Sequence, residues 1–252
     1  MGFDISKALR EWEFDPGRIM ARRFIGEDGE EVLQLRLELG MLQMNVRGRP
    51  DGKKPYGRES WFAWHDAQAR QGQHQNPLAP FSLKEQECME LHVEVLQFLQ
   101  RALCFQRIDD QDGIIRDTNH CLSALEFAEQ HASERVLVQT MRLLRPQLIS
   151  LRTRARSILA VRSQAFAEAR AMVETGLEEI RHHYRMIGQE NQAEGSKEFR
   201  SLVSLASEVA AQQPMTGQER LALALEEAIK EENYEKAARI RDLLKQFEKP
   251  VL

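Results

Sequence analysis

From Ser82 to Gln213 the apolar residues recur every three or four places and are interrupted only by short turn signals. A chain patterned this way has to bury helical stripes against one another, so more than half of the molecule is expected to be helical. Ser82 and Glu85 have capping-box spacing at the start of the first helix, with Met89, Val93, Leu96, Leu99, Leu103 and Ile108 on its apolar side. Asp109-Asp110 marks a turn, and a second helix carrying Ile114, Leu122, Leu125 and Ala128 runs to about His131. Ser133 is placed to cap a third helix, which Pro146 should kink or break. A fourth runs from about Ser163 to Ile187, and the polar run Gly188 to Gly195 ends the bundle. Ser196 to Gln213 forms one more helix, with Phe199, Leu202, Val203, Ala206 and Val209 at helical spacing. At 252 residues, 42% hydrophobic and 29% charged, the chain is long enough for one large or two smaller cores.

The N-terminal part has a different period. Phe3, Trp12 and Phe14 flank a short helix that Asp15-Pro16-Gly17 ends, and Arg18 to Ile25 reads as a strand. After the turn signal Asp28-Gly29, Glu31 to Arg47 reads as one long strand or a pair. Leu33, Leu35, Leu37 and Leu39 alternate with polar residues, whereas past Gly40 the apolar set becomes Leu42, Met44 and Val46. That shift of parity makes Gly40 a candidate β-bulge or tight turn. Trp61, Phe62 and Trp64 then anchor a short helix in the core, and Gly72 to Pro80 reads as a linker. The expected fold class is mainly α with a small N-terminal antiparallel β unit, a helical-repeat-like bundle and a C-terminal helical hairpin. The segments are 1–71 for the β-hairpin-containing unit, 82–187 for the helical body, 196–213 for a connecting helix and 216–249 for the hairpin.

Few residues form a pattern that chemistry would need. His182 and His183 are adjacent and so diverge on a helix, unlike an HExxH pair. Asp109, Asp110 and Asp112 resemble the start of a calcium loop, but Gly113 does not fall at the sixth position and no Glu stands at the twelfth. His120-Cys121 has no third partner nearby in sequence. No metal, no cofactor and no enzymatic activity are therefore expected. Cys88, Cys104 and Cys121 sit in apolar helical stretches without a CxxC pair, as buried thiols of a reduced protein do. No stretch approaches the roughly 18 apolar residues of a membrane span, and the first residues lack the pattern of a secretory signal. The expected location is the cytoplasm.

Charge layout is more informative. The net charge is −4 and the isoelectric point about 6.0, so the chain lacks the general basic footprint of a nucleic-acid binder. Two local exceptions stand out. Arg47 to Arg58 (RGRPDGKKPYGR) places Arg47, Arg49, Lys53 and Lys54 in a Gly/Pro-rich loop with Tyr56 available for stacking. It reads either as a phosphate-contacting loop or as a solvated connector. Between Arg142 and Gln164 stand six arginines and no acid, with Arg145, Arg152 and Arg156 on one helical face. This stretch fits contact with nucleic acid, with an acidic protein, or with the glutamate-rich segment Glu219 to Glu235 in the same fold or a dimer.

The most specific signal lies at Leu221 to Glu248, two short amphipathic helices. Thr216 and Glu219 have capping-box spacing, and Leu221, Leu225, Ala228 and Ile229 share one face. Asn233 is placed to cap the second helix, on which Ala237, Ile240, Leu244 and Phe247 repeat the spacing before Pro250 stops it. The small Ala237-Ala238 pair allows close backbone approach. Tyr234-Glu235-Lys236-Ala237-Ala238-Arg239-Ile240-Arg241-Asp242, preceded by an Ala-aliphatic helix, resembles the UVR motif of the excision-repair proteins UvrB and UvrC, of the kinase activator McsA and of some Clp ATPases. The resemblance implies a protein–protein docking hairpin without catalysis of its own, with Tyr234, Ala237, Ala238, Ile240, Arg241 and Leu244 as docking residues. Its partner would be another protein, a second copy of the chain included. A phosphate loop of the GxxxxGK[ST] type and paired-cysteine zinc modules are both missing, so the machinery of those larger proteins is not implied. Ala169 with the aromatic Phe166 three before it and the small Gly176 seven beyond it, and Gly113 as the small position of the previous pair, resemble tetratricopeptide repeats, although their separation does not fit that period. The expected function is that of an adaptor. The rival is a nucleic-acid-associated factor linked to DNA repair that would use the basic loop and the arginine helix.

Overall fold

The computed structural model describes residues 5–75, 81–133, 135–215 and 217–247. The chain divides into two compact units, residues 1–208 and 209–252. The first contains α1 (Ser6–Glu11), the strands β1 (Met20–Ile25), β2 (Glu31–Leu37) and β3 (Gly40–Asn45), and α2 (Trp61–Gln75). It continues with α3 (Glu85–Arg107), α4 (Gln111–His131), α5 (Arg135–Arg142), α6 (Arg145–Arg162) and α7 (Phe166–Met186). The unit boundary falls within α8 (Lys197–Gln212), and the second unit contains α9 (Gly217–Lys230) and α10 (Tyr234–Phe247). The fold is mainly helical with a small antiparallel sheet, as expected.

The sheet is an antiparallel meander in the order β1-β2-β3. Leu37 pairs with Gly40 across the two residues Glu38 and Leu39, so Gly40 closes a tight turn and no bulge is needed. The register Leu33↔Met44 and Leu35↔Leu42 explains the parity shift. A two-residue turn pairs odd with even positions, and the shift is what keeps both leucine sets on one face. Arg36 is buried and braces this turn, donating from Nη1 to the carbonyls of Leu37 and of Gly40 (2.9 Å) and from Nε to Trp12 O (2.7 Å). The equally buried Gln34 joins a polar row across the other face, from Arg22 Nε (2.9 Å) to Gln43 Oε1 (3.1 Å). Of the aromatics expected around α1, Trp12 lies under the Arg22 guanidinium at 4.2 Å, and Phe3 lies outside the described residues.

Three helix starts and one helix face differ from expectation. α3 begins two residues later than the Ser82 cap: Lys84 precedes it, and Glu87 Oε2 accepts from the Lys84 N–H at 2.7 Å. The Ser133 hydroxyl donates to Leu83 O at 2.8 Å and fastens the end of α4 to the start of α3. The Pro146 break lies ahead of the proline, which occupies the first turn of α6, where its missing N–H costs nothing. α2 runs on to Gln75 through the first part of the expected linker, and residues 76–80 of that linker lie outside the described residues.

The face that α3 buries is the larger correction. Met89, Val93 and Leu96 are exposed, and the core takes Cys88, Leu91, Val95, Phe98, Ala102 and Phe105 instead. Two charged residues, Glu94 and Arg101, sit on that buried face with them. Each is fully enclosed by polar partners from other elements, and this sets the register of the helix. α3 packs on α4, and α6 packs on both α4 and α7. Gly113 faces the Phe105 ring and Gly176 faces Thr153, so both small positions are close helix approaches.

The stretch 1–71 and the body 82–187, set out above as separate, belong to one compact unit. Arg101 and Arg116 on the helices take up the carbonyls of Asn45, Gly48 and Val46 at the end of β3, and Arg23 on β1 pairs with Asp110 at 2.6 Å. Charge as well as apolar area joins the sheet to the helices.

Candidate functional site

In the C-terminal hairpin, Ala228, Ala237 and Ile240 are buried against each other, with Leu221, Ala224, Leu225 and Leu244 packed around them. Alanine at 228 and 237 keeps the helices close, and the turn between them is tight. Asn233 N–H donates to Ala228 O at 2.8 Å, and Glu232 adopts a left-handed φ of 57°. Asn233 caps α10 as expected, its Oδ1 accepting from the Lys236 N–H at 3.1 Å. Ile229, expected on the buried face, is 53% exposed because it stands at the margin of the stripe. The Thr216 cap and the Pro250 stop lie outside the described residues.

The six docking residues inferred from sequence divide into two groups. Ala237, Ile240 and Leu244 serve the hairpin's own core. Tyr234 (70% exposed), Ala238 and Arg241 face outward. They stand at i, i+4 and i+7 of α10 and so form one strip along the helix. Arg241 reaches the neighbouring Asp242 at 3.4 Å, with both side chains more than half exposed, a geometry that leaves the guanidinium open to a further partner.

The arginine stretch 142–162, expected as one helix, is divided between the end of α5, which carries Arg142, and α6, which carries the other five, and its arginines are paired. Arg142 and Arg145 both pair with Glu129 on α4, each at 3.0 Å, and Arg152 pairs with Glu179 on α7. Arg154 reaches Glu208 at 3.7 Å, Arg156 reaches Asn119 Oδ1 at 3.3 Å, and Arg162 pairs with Asp109 at 2.5 Å. Each of the six thus has a partner within residues 1–208. Burial, together with the charges of Arg156 and Arg145, lowers the pKa of Arg152 despite its Glu179 partner. A cleft of about 850 Å³ lies here, lined among others by Arg145, Arg152, Glu129, Glu179 and His183.

His183 carries a pH consequence. Burial, and next the charge of Arg145, push it from 6.5 down to about 4, so the fold holds the neutral ring. The folded-state value is below the unfolded one. Stability from this residue is therefore complete above pH 6.5 and is lost as pH falls toward 4, at up to about 1.4 kcal/mol per pH unit. Denaturant unfolding at pH 7 and pH 5 should show that loss, and His183→Gln should flatten it.

In the basic loop, Arg49 is a structural residue. It is 5% exposed and forks onto Asp51 (2.9 and 2.8 Å) while its Nη1 donates to Glu94 Oε2 at 2.7 Å. The Arg49 hydrogen bonds hold the Asp51 carboxyl down at about 2. Arg47, Lys53 and Lys54 remain exposed.

Sequence reasoning missed Glu94. Its buried carboxylate also accepts from Trp61 N–H (2.7 Å), Phe62 N–H (3.1 Å) and His120 Nε2 (3.0 Å). Burial works to raise its pKa, but the His120 and backbone hydrogen bonds prevail and hold it below its ordinary range. His120 therefore does have a partner, one 26 positions away in sequence and invisible to local inspection. Glu94 also caps α2, together with the Ser60 hydroxyl that accepts from Ala63 N–H. Cys104 is pushed up to about 12 by burial, and Cys121 is raised for the same reason, so both thiols stay protonated. Among the described residues no three His, Cys, Asp or Glu side chains gather as a metal site would require, and no helix is long and apolar enough to cross a membrane.

The fold and its hairpin define a helical protein with a C-terminal interaction module. Residues 218–249 match the family model described as the UvrB/uvrC motif, UVR. The chain carries a UVR motif, a repair-associated interaction motif, over a small part of its length. Comparison with curated proteins gave no match, and comparison with solved structures gave none either.

Proposed function

We infer that this chain is a non-enzymatic adaptor of the cytoplasm that recruits a protein partner through the outer strip of its C-terminal hairpin. The observation that carries the reading is the division of labour in α10. Ala237, Ile240 and Leu244 close the module's own core, while Tyr234, Ala238 and Arg241 are displayed in a row. A large aromatic and an arginine on a rigid helix are the residue types that dominate protein interfaces. Further support comes from the body, where three buried titratable groups are committed to structure. Glu94 is held by four donors, and Cys104 and Cys121 are buried and protonated.

A pull-down comparing the intact chain with a chain cut before Thr216 and with Tyr234→Ala/Arg241→Glu tests the reading. Partner capture should fail in both variants. The double substitution should keep the hairpin helical, because neither side chain contributes to its core. If every partner survives both changes, the hairpin is only a structural cap. Sedimentation of the intact chain and of the double variant separates a second copy of the chain from a foreign partner.

A further inference from the structure

The arginine helix and the basic loop look alike in sequence, yet the structure treats them differently. All six arginines of α5 and α6 between 142 and 162 are partnered within the body, whereas Lys53, Lys54 and Arg58 are exposed and make no ion pair among the described residues. The loop's one acid, Asp51, is turned inward onto Arg49. Arg47 stands apart, at the edge of a cavity with Glu27, Asp28, Glu30 and Glu31. Glu59, next to Arg58, is exposed and leaves the group positive overall.

Between these cations stands Tyr56. Its backbone is left-handed (φ 48°, ψ 33°), a conformation unfavourable for a bulky side chain, and the residue is 73% exposed. One face of the ring stacks on Trp64 (centroids 4.3 Å apart, planes at 25°), with Trp61 edge-on at 6.0 Å. The loop beneath is strapped to the body by the buried Arg49–Glu94 pair and by the bonds from Arg101 to the Asn45 and Gly48 carbonyls. The strained backbone therefore presents a ring with one face supported and the other open, on a rigid base and flanked by unneutralised cations.

We propose that the loop Lys53–Arg58 binds single-stranded nucleic acid, with an unstacked base continuing the Tyr56–Trp64 stack and Lys53, Lys54 and Arg58 meeting the adjoining phosphates. A flat π-face beside several point cations matches a base next to its backbone phosphates, which a paired duplex does not offer. An acidic peptide supplies the charge without the ring. The proposal is independent of the hairpin's protein partner.

The test is fluorescence polarisation of the full chain with a labelled mixed-sequence single strand of about 12 nucleotides, its duplex, and an acidic peptide as competitor, starting at about 50 mM salt. The single strand should bind, and the duplex at least about tenfold more weakly. Tyr56→Gly should weaken binding about tenfold, whereas Tyr56→Phe should preserve it. Glycine suits the left-handed position, so the fold survives that change, and an unaltered thermal midpoint checks it. Lys53→Gln/Lys54→Gln should make the logarithmic salt dependence shallower by about 1 to 1.5. Any of four results overturns the proposal: no single-strand binding, equal binding of the duplex, indifference to Tyr56→Gly, or displacement by the peptide at the oligonucleotide's own concentration. Loss of binding in Arg152→Glu/Arg156→Glu with the loop variants unaffected would overturn it too, moving the contact to the arginine helix.

Discussion

Replacing Arg101 by methionine is expected to destabilise the 1–208 unit by about 3–5 kcal/mol, the cost of leaving a buried charge without its partner. Arg101 is fully buried and uses all three nitrogens of its guanidinium. Nε and Nη2 fork onto Asp117 at 2.7 and 2.9 Å, and Nη1 donates to Asn45 O at 2.7 Å and to Gly48 O at 2.8 Å. Methionine would fill much of the volume but leave Asp117, itself fully buried, with only Arg116, and would orphan two carbonyls at the end of β3. For a unit of this size the loss corresponds to a fall in thermal midpoint of about 10 °C. The double variant Arg101→Met/Asp117→Leu removes both charges and should recover more than half of the loss. Equal stabilities of single and double variants in urea unfolding would mean that the pair holds no charge out of water.

The same pair explains how much of the fold could be read in advance. Helices whose expected apolar stripe is the buried one, such as α4 with Ile114, Leu122, Leu125 and Ala128, are legible even where polar residues such as Asp117 and Thr118 are buried beside it. In α3 the stripe and the core do not coincide. Its buried face runs Leu91, Glu94, Phe98, Arg101 and Phe105, and the two charges interrupt the pattern. The eye moves to Met89, Val93 and Leu96, which are exposed. Glu94 and Arg101 do fall in register with Leu91, Phe98 and Phe105, and charged residues in an aromatic register are the signal that was present. What they pair with was not legible, because Arg49 is 45 positions from Glu94 and Asp117 is 16 from Arg101.

The candidate sites divide on the same ground. The hairpin was legible as a module because its contacts are local, from Ala228 to Ala237 and Ile240. Which of its six marked residues face outward was not, since an Ala-Ala pair and an Ile-Arg pair look equivalent until the partner helix is in place. Likewise, the charge density of the arginine stretch and of the basic loop was visible, but the neutralisation of the first depends on Glu129, Glu179 and Asp109, all remote in sequence, and the second has no such partners for Lys53, Lys54 and Arg58 among the described residues. Exposure and pairing, and not charge count, separate a docking surface from a structural one.

Substituting Gly176 by alanine sets two effects against each other. In the interior of α7 alanine is favoured over glycine by about 1 kcal/mol of helix propensity. Against this, a Cβ at 176 would come within 2.7 Å of Thr153 Cγ2 and 3.0 Å of its Cβ, and closer still to Oγ1. Thr153 is buried in α6, and its branched side chain is stiff on a helix, so it has little room to turn away. Overpacking of this kind costs about 1–3 kcal/mol, which exceeds the propensity gain, so Gly176→Ala should be net destabilising and Gly176→Val more so. Thr153→Ala removes the two nearest atoms. In that background Gly176→Ala should cost at least about 1 kcal/mol less than it does alone, a coupling that urea midpoints of the four proteins would read. A Gly176→Ala variant more stable than the parent would show that propensity wins and that α6 and α7 are not closely packed at this point. The opposite result would make Gly176 the position that sets the spacing of this helix pair, and with it the width of the adjoining cleft that Arg152 and Glu179 line.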